Sequence, residues 1–286
     1  MDGNMELSEI AQKLWDSDVN RLQPGKDYRI SLQGKAGQAP SSQDTENRAP
    51  LPLFNYVNEE IFKKETFSAF ISLLDNYVAD TGEPEVVTAQ EEQENHRFLD
   101  ALMETPVLQI AHSYLVKKGQ AQASKEKFKQ QLYDIWFRLY ARRGSSQPDS
   151  SGFEHVFVGE TRGGRTVIGF HNWIQLYFQE KLGNVDYKGY AFQNTPRSNQ
   201  SRHKSPDENK HLITLQFSWK KGIKPRGSCF IGVSPEFEFA LYTITFLKSS
   251  AERNKLTFSR YEVEIVCHST NNRHIETTYP ILLRYL

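Results

Sequence analysis

Two histidines and two glutamates are concentrated in one stretch of the chain, Ser151–Trp173, SGFEHVFVGETRGGRTVIGFHNW. His155 and His171 lie on either side of ETRGGRT, and Glu154 and Glu160 flank the first of them. Imidazole changes charge near neutral pH, so a pair suits coupled proton work in which one gives and the other takes. Gly163-Gly164 supplies the backbone freedom of a tight turn. The flanks FEHVFVGE and RTVIGFH then read as short strands, and a hairpin folded at the glycines brings the imidazoles together. A lone histidine in a strand is most often structural. A pair across a Gly-Gly turn, beside carboxylates, points to a site. From residue type alone, Glu154 and Glu160 are assigned to orienting imidazoles or basic side chains.

Two further clusters bear on the same chemistry. In KKGIKPRGSCFIG, Lys220–Gly232, lysines and Arg226 sit among glycines and a proline. By itself this is a solvated basic loop. Lys224 differs, because it is fixed before Pro225 in a segment leading into a strand. A held ammonium can stabilise phosphate oxygens. Ser228 could offer a hydroxyl and a backbone N–H to a ligand. In HIETTYP, His274–Pro280, Thr277 and Tyr279 share one face of a strand. An aromatic ring beside a hydroxyl makes a platform for stacking and hydrogen-bonding a base. Both residues are also ordinary strand formers.

The elements that must position these groups fall into two halves. Leu7, Ile10, Ala11 and Leu14 predict an amphipathic helix over residues 6–20. A turn at Pro24-Gly25 and a polar connector over 34–52 follow. Helical spacing returns over 58–77, over 89–104, from Pro106 to Gly119, and from an N-cap at Ser124 to Tyr140. RRGSSQPDSSG, residues 142–152, is a second connector at which composition shifts. Beyond it come the histidine hairpin, a helix over 172–182, and strands over 211–219 and 260–269. The last of these turns at Asn271-Asn272 and pairs back through HIETTYP. Ser234-Pro235 opens one further helix, SPEFEFALYTITFL. The expected fold is therefore α+β. A mainly helical N-terminal lobe, residues 1–141, precedes a lobe of antiparallel β-sheets with a few helices, residues 142–286, the two forming one domain.

The whole chain limits the function classes. Of 286 residues, 38% are hydrophobic and 24% charged, as in a globular and not a disordered protein. Lys+Arg and Asp+Glu are both 35, so no net field announces a nucleic-acid partner, although a local basic groove is compatible with that total. No apolar run is long enough to span a bilayer, and MDGNMELSEIAQKLWD lacks a signal-peptide pattern. Localisation stays open between the cytoplasm and secretion as part of a longer precursor. Cys229 and Cys267 make neither a disulfide framework nor a cysteine zinc site; two buried thiols in strands are expected. Metal ligands cannot be placed, since no EF-hand pattern or aspartate-rich loop is present.

Taken in order, LWDSDVNRLQPGKDYRI, FEHVFVGE, GFHNW, KPRGSCFIGVSPEFEFALYT and ETTYP resemble the EndoU endoribonucleases, a family of poly(U)-specific enzymes, over nearly the whole chain. The resemblance implies cleavage of single-stranded, uridine-containing RNA by its own 2′-OH, giving 2′,3′-cyclic phosphate and 5′-hydroxyl ends. It implies His171 as general base, His155 as general acid and Lys224 as the cation on the charged phosphorane. Glu154 and Glu160 match glutamates the family needs. Ser228, Thr277 and Tyr279 fall where the family reads uracil and stacks the nucleoside. It further implies stimulation by Ca2+ or Mn2+ outside the cleavage chemistry. A monomer is expected. The rival readings are an RNA-binding module whose histidines only contact phosphate, and a helical interaction protein with the second half as scaffold.

Overall fold

The structure, a computed structural model, describes residues 3–37, 47–142, 145–191, 211–270 and 273–286. Its first half is mainly helical. Helix α1, Gly3–Ser17, buries Leu7, Ile10, Ala11 and Leu14 along one stripe, as their spacing predicts. Strands β1, Tyr28–Ile30, and β2, Phe54–Val57, then pair antiparallel, a small sheet that sequence patterning missed. The single helix expected over 58–77 is broken in two. A 3-10 turn, Glu59–Lys63, is capped by Asn58, and α2, Glu65–Ile71, starts after Lys64 takes an extended conformation. Helix α3, Ala89–Met103, begins at a reciprocal Thr88/Glu91 capping box. In α4, Pro106–Lys117, Thr105 caps and Pro106 fills the first turn. Ser124 caps α5, Lys125–Trp136. This helix stops short of Tyr140, which instead bridges to Ser150.

The second half is built from strands around one buried helix. In chain order come β3, Glu160–Arg162; β4, Thr166–Ile168; α6, Trp173–Lys181; β5, Val185–Tyr190; β6, Leu212–Trp219; and β7, Gly222–Phe230. They are followed by α7, Pro235–Lys248; β8, Arg253–Phe258; β9, Tyr261–Thr270; and β10, His274–Tyr285. One sheet has the order β3-β4-β7-β6-β5 and another β10-β9-β8. Pairing is antiparallel except between β4 and β7. The fold is α+β, as the sequence predicts. The basic loop expected over 220–232 is mostly strand β7. The turn at Asn271-Asn272 and the middle of the 34–52 connector, residues 38–46, lie outside the described residues, as do 143–144.

Helix α7 joins the halves. Its residues from Pro235 to Thr245 are all buried, which is the pattern of a helix wrapped on every side. Its Phe239 stacks on Trp136 of α5, with ring centroids 4.8 Å apart. Trp136 also donates to the buried Thr243 hydroxyl at 2.9 Å. From the other side α1 packs on both α7 and β8. One hydrophobic cluster therefore crosses the composition break at residue 141. The two cysteines, Cys229 in β7 and Cys267 in β9, are buried and free.

Candidate active site

The segment carrying His155 is not the strand its alternation suggests. Glu154–Val158 is a π-helical turn. A strand would send Val156 and Phe157 to opposite faces. Here Phe153, Val156 and Phe157 are all fully buried. Phe153 and Phe157 pack into an aromatic cluster with Phe70, Phe98 and Trp136. Three- and four-residue spacing is what a helical turn needs to put those side chains on one core. Short π-helical turns of this kind occur often at functional sites.

The hairpin does form, between β3 and β4, with Gly163 and Gly164 at φ +57 and +62. It is the segment after β4 that meets the π turn. Phe170 N–H donates to the His155 carbonyl at 2.9 Å, and His171 N–H to the Val156 carbonyl at 2.7 Å. The backbones of the two histidines are thereby tied together. This approach demands Gly169, because a Cβ there would collide with the His155 carbonyl. Phe170 itself holds φ +63, a strained value for a residue with a side chain.

Each imidazole is held through its Nδ1, by a different kind of partner. His155 Nδ1 donates to Glu160 Oε2. Glu160 is fully buried and is held in turn by Arg142, whose Nε lies 3.0 Å from the same oxygen. Burial would raise the Glu160 carboxyl, but the His155 hydrogen bond and the Arg142 charge outweigh it and keep the group ionised. His171 Nδ1 donates to the backbone carbonyl of Ser228 at 2.9 Å. A carbonyl can only accept, so the tautomer is fixed and Nε2 carries the free lone pair. In both rings Nε2 is the nitrogen left to exchange a proton. Burial lowers both imidazoles. His155 falls to about 4, against the pull of Glu160. His171 falls well below its usual range, with the nearby Lys224 charge adding to the effect.

Lys224, Ser228, Thr277 and Tyr279 come to the same place. With both histidines they line a cavity of about 490 Å³ where β7 meets β10. Lys224 is 8% exposed, and burial lowers its ammonium to about 8. Tyr279 stacks its ring on His171, centroids 4.6 Å apart and planes 15° from parallel. One face of the ring is thus already used by an imidazole. Thr277 and Tyr279 are half-buried while Thr278 between them is buried, the alternation expected of a strand. The Ser228 hydroxyl, however, is buried and donates to the Pro280 carbonyl. Its visible work is to tie β7 to β10 and to present its carbonyl to His171.

The family model described as Endoribonuclease XendoU matches residues 6–280. The chain belongs to this family of endoribonucleases. It is similar to Uridylate-specific endoribonuclease B of Danio rerio, 65% identical over 286 residues that cover 100% of this chain and 99% of that one. Poly(U)-specific endoribonuclease-B of Xenopus laevis is 56% identical, covering 98% of this chain and 94% of its own. Among solved structures, XendoU, described as a splicing independent snoRNA processing endoribonuclease, superposes with a TM-score of 0.84. It is 52% identical and covers 98% of each chain.

Within this XendoU-family site one sequence assignment changes and one residue is new. Glu154 orients no imidazole. Its carboxylate is fully buried, and neither oxygen has a hydrogen-bond partner. Burial, then the neighbouring Glu160 charge, pushes its pKa well above the usual carboxylate range, so it is held as the neutral acid. Arg142 was hidden in what reads as a polar connector. The signal that could have found it is indirect: a carboxylate buried behind a histidine needs a cation. Arg142 also reaches the Tyr140 hydroxyl and the Glu276 carbonyl, at 3.1 and 3.0 Å, so its Nε and Nη2 both serve as a brace.

Proposed function

We propose that this endoribonuclease cleaves single-stranded RNA at uridylates through the ribose 2′-OH, with His171 as base and His155 as acid. The observation that carries the reading is the unlike backing of the two imidazoles. A carboxylate behind His155 favours the imidazolium once a phosphate enters. A neutral carbonyl behind His171, with the Lys224 ammonium near it, favours the free base. In the proposed step His171 Nε2 takes the 2′-OH proton and the oxygen attacks the adjacent phosphorus. The P–O5′ bond breaks, and O5′ leaves with the proton from His155 Nε2. The products are a 2′,3′-cyclic phosphate and a 5′-hydroxyl. Lys224 offsets the charge gathering on the phosphorane oxygens, a role in which one fixed donor is worth about 10²–10³-fold.

Uridylate preference is proposed from the relatives' names together with Tyr279, Thr277 and Ser228 on the cavity wall. The outer face of Tyr279 is left for the nucleoside. Base reading through the Ser228 hydroxyl requires it to turn from Pro280. Calcium or manganese, implied by the family resemblance, does not fit the cleft. Among the described residues no group of three or more His, Cys, Asp or Glu side chains is set to hold an ion. Glu160 is committed to His155 and Arg142. We place the action of such an ion on conformation or RNA binding, away from the imidazoles. The test uses matched U- and C-containing oligonucleotides, with and without each ion, and identification of the product ends. Cyclic phosphate at U, and survival of strands carrying a 2′-O-methyl at the cut, are expected. Cleavage of the methylated strand at a comparable rate would instead require an activated water.

A further inference from the structure

Three cations line the cleft with no carboxylate partner among the described residues: Lys224, Arg162 and Arg226. Arg142, the fourth, is consumed by Glu160. A scissile phosphodiester carries one negative charge. Lys224 is the cation placed to answer it, since both imidazoles feel its charge. Arg162 and Arg226 are exposed at the rim. If the substrate ended at the cut linkage, these two guanidiniums would meet no phosphate.

The place of Arg162 is set by strand geometry. Glu160 and Arg162 are two apart on β3, so they face the same side, while Thr161 between them points away to Asp80. Glu160 is the residue on His155. Arg162 therefore emerges on the His155 side, about 6.6 Å further out along the strand, at the edge of the Gly163-Gly164 turn. The acid delivers its proton to O5′ of the departing nucleoside, so the RNA downstream of the cut must leave past this point. Resting on the acid and base roles proposed above, we infer that Arg162 binds the phosphodiester on the 3′ side of the departing nucleoside. The enzyme thus engages at least one linkage beyond the one it cuts.

Substrates with a single ribonucleotide isolate this contact. Three are needed: a uridine–deoxyadenosine dinucleotide, the same extended by one deoxyadenosine on its 3′ side, and the same extended on its 5′ side. For the wild-type enzyme the 3′ extension should raise kcat/KM about tenfold or more, the range of a charge-assisted hydrogen bond, mostly through KM. Arg162→Gln should lose that gain and leave the dinucleotide unchanged. Arg162→Lys should keep part of it. The salt dependence of binding to the 3′-extended strand should fall by about one phosphate contact in Arg162→Gln. Equal loss on all three substrates, or loss confined to the 5′-extended one, overturns the assignment. Binding of the all-deoxy 3′-extended strand reports the contact without cleavage. If wild type binds that strand but never cuts its ribonucleotide counterpart, the 2′-OH mechanism fails, and Arg162 stands or falls on the binding difference alone.

Discussion

His155 and His171 sit in one cleft with their backbones hydrogen-bonded through the same short segment, yet the protein treats them oppositely. Behind His155 is a buried ion pair, Glu160 braced by Arg142. Behind His171 is a peptide carbonyl, with the Tyr279 ring stacked on its face. Burial lowers both imidazoles, so burial by itself does not set them apart; the backing group does. A carboxylate stabilises a proton arriving on the far nitrogen, and a carbonyl only fixes the tautomer. The acid and base roles proposed for them rest on those two backing groups, and Glu160 is itself held by Arg142, from a segment with no motif of its own.

The largest expected effect comes from deleting either ring. His155→Ala and His171→Ala should each cost about 10²–10⁴-fold in kcat, with folding and RNA affinity largely kept. Near wild-type turnover in either variant, measured on a uridine-containing oligonucleotide, would end the two-imidazole account.

Lys224→Met comes next, and it separates function from stability. Cleavage should fall about 10²–10³-fold. Stability should rise at neutral pH, because a buried ammonium without a partner is removed. The Lys224 pKa is lowered by burial from 10.5 to about 8. In the folded state the group sheds its proton before the unfolded chain does. Its contribution to stability is present above the unfolded value and is lost as pH falls from 10.5 through 8. The full cost is therefore carried at pH 7, on the order of 3 kcal/mol. Urea unfolding at pH 7 measures it, and a less stable Lys224→Met protein contradicts it.

Glu160→Gln tests the comparison itself. The amide keeps a hydrogen-bond acceptor for His155 and removes the charge. A loss of about 10–100-fold is expected, the worth of a charge-assisted hydrogen bond over a neutral one. The alkaline limb of the pH–rate profile should move to lower pH, because the imidazolium loses its counter-charge. No shift in that limb would mean the carboxylate does not tune His155.

The smallest effect is on acid stability. His155 is lowered to about 4 and His171 well below its usual 6.5, both by burial. Depressed groups contribute stability above the unfolded value and lose it as pH falls. The protein should therefore weaken as pH drops from 6.5 toward 4. The unfolding free energy of His171→Ala should depend less steeply on pH across that window. Identical slopes would place the acid sensitivity elsewhere.

Much of this arrangement was legible before any fold was known. Pro106, Ser124 and the Ser234-Pro235 pair mark helix starts that the structure keeps, because caps and N1 prolines act locally. The glycine pair marked the hairpin for the same reason. What failed depended on distant partners. FEHVFVGE alternates like a strand, but Phe153 and Phe157 answer to Phe70, Phe98 and Trp136, from helices far upstream in sequence, and the core won. Strands β1 and β2 are too short to show a period, and they find each other across a long connector. Histidines, lysine and tyrosine could be gathered from motifs. Glu160 could be assigned to an imidazole from its place beside His155; the group behind His171 and the brace behind Glu160 could not, because Ser228 acts through a backbone carbonyl and Arg142 through a fold-dependent reach.

The central claim, that His155 is the acid and His171 the base, is tested most directly by removing the need for an acid. A substrate whose 5′-bridging oxygen is replaced by sulfur has a leaving group that departs without a proton. His155→Ala should cut that substrate at close to the wild-type rate, and His171→Ala should remain as impaired as on ordinary RNA. Rescue of His171→Ala in place of His155→Ala, or rescue of neither, would contradict the account.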